Sequence, residues 1–198
     1  MTKNIHNYSL LKYYDATFQQ IMEPAGGKMI FNLSFQTSFG EAAVVFRRKP
    51  FAILKTILPR TDSQDLIELL KGKAFGNPGS HKKALAVSEL IVDYFRGKSI
   101  APPWEWMDMG GLTRLQQAVL VATANIPYGQ LKSYKMMAEV IGRPRAYRFV
   151  GSALANNPFP ILIPCHRVVR SDGSLGNFGG GTDLKRKLIQ LEADQNFS

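Results

Sequence analysis

The stretch Ser133-Tyr134-Lys135-Met136-Met137-Ala138-Glu139-Val140-Ile141-Gly142-Arg143-Pro144-Arg145-Ala146-Tyr147-Arg148-Phe149-Val150-Gly151-Ser152-Ala153-Leu154-Ala155-Asn156 decides how the second half of this chain folds. The Ser133 hydroxyl suits a helix N-cap, where its oxygen accepts from a free first-turn amide, so a short helix is expected through Ile141. Gly142-Arg143-Pro144 breaks it, and a further helix is expected over about 145–156. Two short helices joined by a glycine-containing turn, the second opening on arginines, fit a helix-turn-helix. A helical hairpin that binds nothing has the same pattern.

Upstream, Thr113-Arg114-Leu115-Gln116 has the form of a capping box, in which threonine oxygen and glutamine side chain satisfy first-turn amides. It predicts a helix to about Asn125. Residues 97–111 hold Pro102, Pro103 and the Gly110-Gly111 pair without periodicity, and read as a linker. Before it, β-branched and aromatic runs at 29–35, 42–46 and 51–58 predict a small antiparallel sheet. Helices are expected over 9–22, 63–70 and 82–95, the last stopped by Gly97. The fold class is therefore α+β. An α/β N-terminal domain with a small antiparallel sheet and an extra N-terminal helical segment (1–103) precedes a mainly helical C-terminal domain containing the helix-turn-helix (104–198).

The 198 residues carry a formal net charge of +10, which favours polyanionic partners, nucleic acid or an anionic membrane surface. Lys132, Lys135, Arg143, Arg145, Arg148, Arg167 and Arg170 stand against Glu139 alone between 132 and 170, although the first hundred residues are basic too. No run approaches the ~20 apolar residues of a membrane span, and residues 1–10 are too polar for a signal peptide. One cysteine excludes an internal disulfide and a cysteine-rich zinc site, and fits a reducing cytoplasm.

That cysteine is either a buried filler or a reagent. A short apolar run, Ile161-Leu162-Ile163, leads into Pro164-Cys165-His166-Arg167-Val168-Val169. Thiolate is the reactive form, and His166, Arg167 and Arg170 supply base and positive charge nearby in sequence. The thiol is expected to end an apolar strand, mounted rigidly beside a proline. Gly173, Gly176, Gly179, Gly180 and Gly181 then make a loop whose amides can approach a ligand closely. A base needs an orienting group, and Glu192, near the end of a last helix over about 183–192, is a candidate carboxylate.

Pro164 through Val169 resembles the active-site signature of the O6-alkylguanine-DNA alkyltransferases, or methylated-DNA–protein-cysteine methyltransferases. The resemblance runs over roughly 112–192. It includes Ser133-Tyr134, Arg148-Phe149-Val150-Gly151, Asn157-Pro158-Phe159-Pro160-Ile161-Leu162-Ile163 and Gly176-Asn177-Phe178, and is loose before residue 100. It implies DNA repair by direct damage reversal: irreversible, single-turnover transfer of the alkyl group of O6-alkylguanine in duplex DNA to Cys165, after minor-groove binding and base flipping. The catalytic set would be Cys165 as acceptor, His166 drawing its proton through a bound water, Glu192 holding the imidazole, and Tyr134 donating toward the base or crowding its phosphate. Arg148 would fill the gap left by the flipped base, with Ser133, Tyr134, Arg145, Gly151 and Ser152 at the DNA. Asn157 would brace the turn into the site, Pro160 and Phe178 would line the pocket, the carbonyls of Cys165 and Val168 would accept from the guanine amino group, and the Gly179 amide would face O6. No cofactor and no metal are implied. The partner is double-stranded DNA containing O6-alkylguanine, with no membrane; the chain would be a monomer in the cytoplasm, associated with the nucleoid in a prokaryote.

Tyr147 and Phe149 are bulky where many relatives carry small residues beside the arginine, and Gly179 provides no side chain toward O6 where some carry serine. Three other readings compete. An alkyltransferase-like lesion binder would lack the acceptor cysteine, which is present. A thiol hydrolase would ask adjacent residues, Cys165 and His166, to face one another, and has no oxyanion hole to support it. A helix-turn-helix transcription regulator would leave the cysteine site without a use.

Overall fold

A computed structural model describes residues 30–60, 75–76 and 81–194. The helices expected over 9–22 and 63–70 lie outside the described residues. Within them the chain is a mixed α+β fold. Strands β1 (Ile30–Thr37), β2 (Gly40–Arg48), β3 (Phe51–Arg60) and β4 (Phe75–Gly76) form a sheet in the order β3-β2-β1-β4, antiparallel through the first three, with β4 parallel to β1. Alternation turns Phe31, Leu33, Val44 and Phe46 to one face. There they meet helix α1 (Lys82–Phe95), whose Ala84, Val87, Ile91, Tyr94 and Phe95 repeat at helical spacing. Gly97, at φ 88°, ends this helix by donating its amide to the Tyr94 carbonyl at 2.9 Å.

The segment expected as a plain linker is tied to the sheet instead. It holds a 3-10 turn at Trp104–Trp106, the Asp108 amide donates to the Ile53 carbonyl at 2.9 Å, and Arg47 reaches the Asp108 carboxylate at 3.3 Å. The helical part follows: α2 (Arg114–Ala124), α3 (Tyr134–Val140), α4 (Tyr147–Ala155) and α5 (Gly181–Asp194). The Thr113–Gln116 capping box is formed, and Ser133 Oγ accepts from the Met136 amide at 3.1 Å, both as the sequence predicts. A two-stranded parallel pair, β5 (Lys132–Ser133) with β6 (Val168–Val169), ties the start of α3 to the chain just beyond the cysteine. One hydrophobic core runs through both parts: Phe46, Ile53 and Val87 belong to the same cluster as Leu120, Val150 and Leu188.

Candidate active site

Cys165 does not end a strand. Ile161-Leu162-Ile163 is a buried turn, and Cys165 opens a 3-10 turn, Cys165–Arg167. Ile161 sits at φ 73°, a left-handed conformation that costs a β-branched residue of order 1–3 kcal/mol. Its surroundings hold it there. Asn157 donates from Nδ2 to the Ile163 carbonyl at 3.0 Å and accepts the Phe159 amide on Oδ1 at 2.9 Å. From the sheet, Thr56 donates its amide to the Pro158 carbonyl (2.9 Å) and its hydroxyl to the Pro160 carbonyl (2.8 Å). A short apolar run reads as a strand in sequence, but Asn157 and Thr56 hold this one in a turn between Pro160 and Pro164.

Next to the thiol lies a buried polar cluster. His166 Nε2 is 2.7 Å from Glu192 Oε1, and Arg167 grips the same carboxylate from Nε (2.9 Å to Oε2) and Nη2 (3.0 Å to Oε1). Arg167 Nη1 also donates to the Ile126 carbonyl at 2.6 Å, and the Gly129 amide donates to Oε2 at 2.9 Å. A residue of α1 completes the set: the Tyr94 hydroxyl donates to Glu192 Oε1 at 2.9 Å and lies 3.0 Å from His166 Nε2. Burial works to raise the Glu192 carboxyl, but the hydrogen bonds and charge of His166 and Arg167 outweigh it and hold it at about 2. Glu192 is thus an acceptor only, and a nitrogen 2.7 Å away must be its donor. The proton of neutral His166 therefore belongs on Nε2. Nδ1 is left as the basic nitrogen, buried and without a hydrogen-bond partner among the described residues. Burial pushes the imidazole below its usual range despite Glu192, so it is neutral at pH 7.

The charges around Cys165 differ from the sequence expectation. Arg167 is committed to Glu192, and Arg170 is exposed. The cation acting on the thiol is Lys185, from α5: fully buried, it donates to the carbonyls of Val168 (2.6 Å) and Leu175. Burial raises the Cys165 thiol, with Asn157 and Lys185 pulling the other way, so the resting group is a thiol rather than a thiolate. Burial likewise lowers Lys185, to about 8. The Val168 carbonyl, expected to face a ligand, already accepts from Lys185.

Tyr134 is half-buried at the start of α3. Its ring lies 5.8 Å from Lys185 Nζ, and its hydroxyl is so close to Gly176 that a Cβ there would stand 2.8 Å away. Gly176 also has φ +68°, so glycine is required twice over. Phe178 packs edge-on to His166 at 6.5 Å between ring centroids, Pro160 is buried beneath the turn, and Gly179 is exposed with open space above its Cα. Of the residues expected at DNA, Arg145, Arg148 and Ser152 are exposed while Ser133 and Gly151 are half-covered. Helix α4 begins at Tyr147, so Arg145 stands in the turn before it. The two bulky residues part company: Phe149 packs against the core, while Tyr147 is exposed with the Arg148 guanidinium 5.9 Å from its ring.

Residues 114–194 match the model of the 6-O-methylguanine DNA methyltransferase DNA-binding domain. A methylated-DNA–protein-cysteine methyltransferase of Methanothermobacter thermautotrophicus is 37% identical over 134 residues, 66% of this chain and 74% of that protein. The chain belongs to the methylated-DNA–protein-cysteine methyltransferase family. A methyltransferase of the same name from Methanosarcina barkeri is 50% identical over 80 residues, which span 40% of this chain and about half (51%) of that relative. The crystal structure of Mycobacterium tuberculosis O6-methylguanine methyltransferase superposes with a TM-score of 0.64 at 28% identity, covering 84% of this chain and 94% of that one. A structure of the M. tuberculosis protein in complex with DNA superposes at 0.63 and 27% identity, covering 83% and 94%.

As a member of the methyltransferase family, the chain has three residues at its site that the sequence reading passed over: Tyr94, Thr56 and Lys185. Lys185 had a signal, since a lysine three residues before Leu188 and seven before Glu192 shares their buried helix face. Tyr94 and Thr56 had none, because nothing local says that α1 and β3 reach the cysteine turn.

Proposed function

We propose that this protein repairs DNA by taking the alkyl group of O6-alkylguanine onto Cys165, once per chain. The observation that carries the reading is the state of His166: neutral, its Nε2–H fixed on Glu192, its Nδ1 unengaged, and the next residue in the chain to a buried thiol. That is a base waiting for a proton, oriented by a carboxylate as in a triad.

In the proposed reaction His166 Nδ1 takes the thiol proton through a water, and Lys185 steadies the thiolate that forms. The sulfur then attacks the alkyl carbon in line with the C–O6 bond. An S–C bond forms, the C–O6 bond breaks, and its electron pair leaves with the guanine, which a proton from Tyr134 or solvent neutralises. The product is a thioether. Sulfur bound to two carbons is a poor leaving group, so nothing in the site regenerates the thiol and the protein is consumed.

O6 is out of reach inside a duplex, so the nucleotide must leave the stack, at a cost of a few kcal/mol. Exposed Arg148 and Ser152 on α4, and Arg145 in the turn before it, support DNA contact, with Arg148 filling the vacated space and phosphate contacts offsetting part of the cost. Half-covered Gly151, and Ser133 at the cap of α3, complete the proposed DNA contacts. Asn157 holds the turn that presents the thiol, and Pro160, Phe178 and the backbone at Val168 and Gly179 form the base pocket.

The test is incubation with duplex DNA carrying labelled O6-methylguanine. Protein-bound label is expected to rise to about one per chain and stop; continued release of repaired DNA past that point would overturn the single-use mechanism.

A further inference from the structure

We propose that Tyr94, contributed by the N-terminal half, is a positioning residue for alkyl transfer: its hydroxyl spans His166 and Glu192 and locks the imidazole in the one tautomer that leaves Nδ1 as the base. The inference rests on the transfer reading above.

Three observations carry it. First, the hydroxyl is fully buried and has two polar neighbours, Glu192 Oε1 at 2.9 Å and His166 Nε2 at 3.0 Å. Tyr94 has one proton, and the carboxylate accepts it, so the phenol oxygen faces Nε2 as a second acceptor. With two acceptors converging on Nε2 and no donor aimed at it, the other tautomer is excluded and a ring flip is opposed. Second, the ring is clamped edge-on by Phe95 (5.2 Å, 84°), His166 (5.9 Å, 61°) and Tyr128 (6.2 Å, 66°), so the hydroxyl is held rather than hinged. Third, burial and the Glu192 charge push the phenol well above its usual range, so it stays protonated wherever the protein works. Phenylalanine would fill the same space without bringing a polar group into the core, and a buried hydroxyl is costly unless its hydrogen bonds matter.

The groups acting on His166 are Glu192 and Lys185 from α5, Arg167 from its own turn and Tyr94 from α1, with Tyr128, from the loop after α2, packed against Tyr94. Of these, Tyr94 alone touches both Nε2 and the oxygen that orients it. Its donated bond draws part of the Glu192 charge away from the imidazole.

Two variants test the claim in the intact chain, with rate followed against pH and the His166 imidazole titrated by NMR. Tyr94→Phe removes the hydroxyl, leaving the Glu192 charge fully on His166. The acid limb of the rate profile and the His166 titration are expected to move up together by about half a pH unit to one unit, with transfer slowed about fivefold. Replacing Tyr94 by 3-fluorotyrosine keeps ring and hydroxyl but strengthens the donated bond, and both readouts are expected to move down. Shifts of opposite sign in the two variants support the proposal. Unmoved profiles, or the same direction in both, would overturn it, because a packing role predicts no dependence on phenol acidity. If the wild-type protein accepts no label the transfer reading fails, while the NMR titration still decides whether Tyr94 governs His166.

Discussion

The two ends of the proposed chemistry are built in opposite ways. The Glu192 carboxylate is fully committed: it accepts from His166, Arg167, Gly129 and Tyr94 in a largely buried cluster. Along α4 and the turn before it the reverse holds. Arg143, Arg145 and Arg148 are exposed, and none makes an ion pair among the described residues. Their charge is unspent in the free protein and available to phosphates, where each neutralised contact releases counterions. Proton transfer needs fixed geometry before the substrate arrives, whereas grip on DNA needs groups that gain partners only on binding. A site with the two arrangements exchanged would have a floppy base and no affinity.

Breaking the committed end costs most. Cys165→Ala is expected to abolish label transfer outright while leaving duplex binding, measured by anisotropy, close to wild type. Glu192→Leu leaves the Arg167 guanidinium buried without its carboxylate, so both stability and chemistry suffer: a loss of about 3–5 kcal/mol in denaturant titration and about a hundredfold or more in transfer rate. Lys185→Met removes the cation acting on the thiol and strands the buried Val168 carbonyl and the part-buried Leu175 carbonyl. About a tenfold to hundredfold slower transfer is expected, with a lower melting temperature.

The pH dependence sharpens the same end. His166 titrates below its usual 6.5, so the rate rises with pH through that lowered value as the base loses its proton. Lys185, at about 8, is charged below that pH and neutral above it, so its help to the thiolate fades as pH climbs past 8. A plateau between the two is expected in the wild type, and Lys185→Met should lose the upper descent.

At the open end the effects are smaller and selective. Arg148→Ala is expected to slow repair in duplex DNA about tenfold while barely changing reaction with the free alkylated base, because only the duplex has a gap to fill. Equal losses on both substrates would remove the flipping role. Tyr147→Ala, at an exposed ring, is expected to change duplex affinity least, within about twofold.

Most of the second half was legible in sequence, for reasons that are local. Caps at Thr113 and Ser133 are written in the residues that make them, and the glycine and proline between α3 and α4 state the turn. Composition leaves Cys165 between filler and reagent; its proposed role rests on the neighbouring Pro164-Cys165-His166-Arg167 and the distant Glu192. The errors share a cause. Ile161-Leu162-Ile163 looks like a strand because an apolar run does not show that Thr56 and Asn157 bond the surrounding backbone into a turn. Arg167 looks like a charge for the thiol because sequence adjacency does not show that its guanidinium points to Glu192, while Lys185, far along the chain on α5, acts on the thiol. Tyr94 was invisible for the plainest reason: its partners lie 72 and 98 residues away.

In the proposed reaction the alkyl group ends on the thiol of Cys165. That is tested most directly by mass spectrometry of peptides from the protein after reaction with O6-methylguanine duplex. One added methylene is expected on the peptide bearing Cys165, in step with restored guanine in the DNA. Loss of the lesion with Cys165 unmodified, or with the methyl group on another residue, would contradict it.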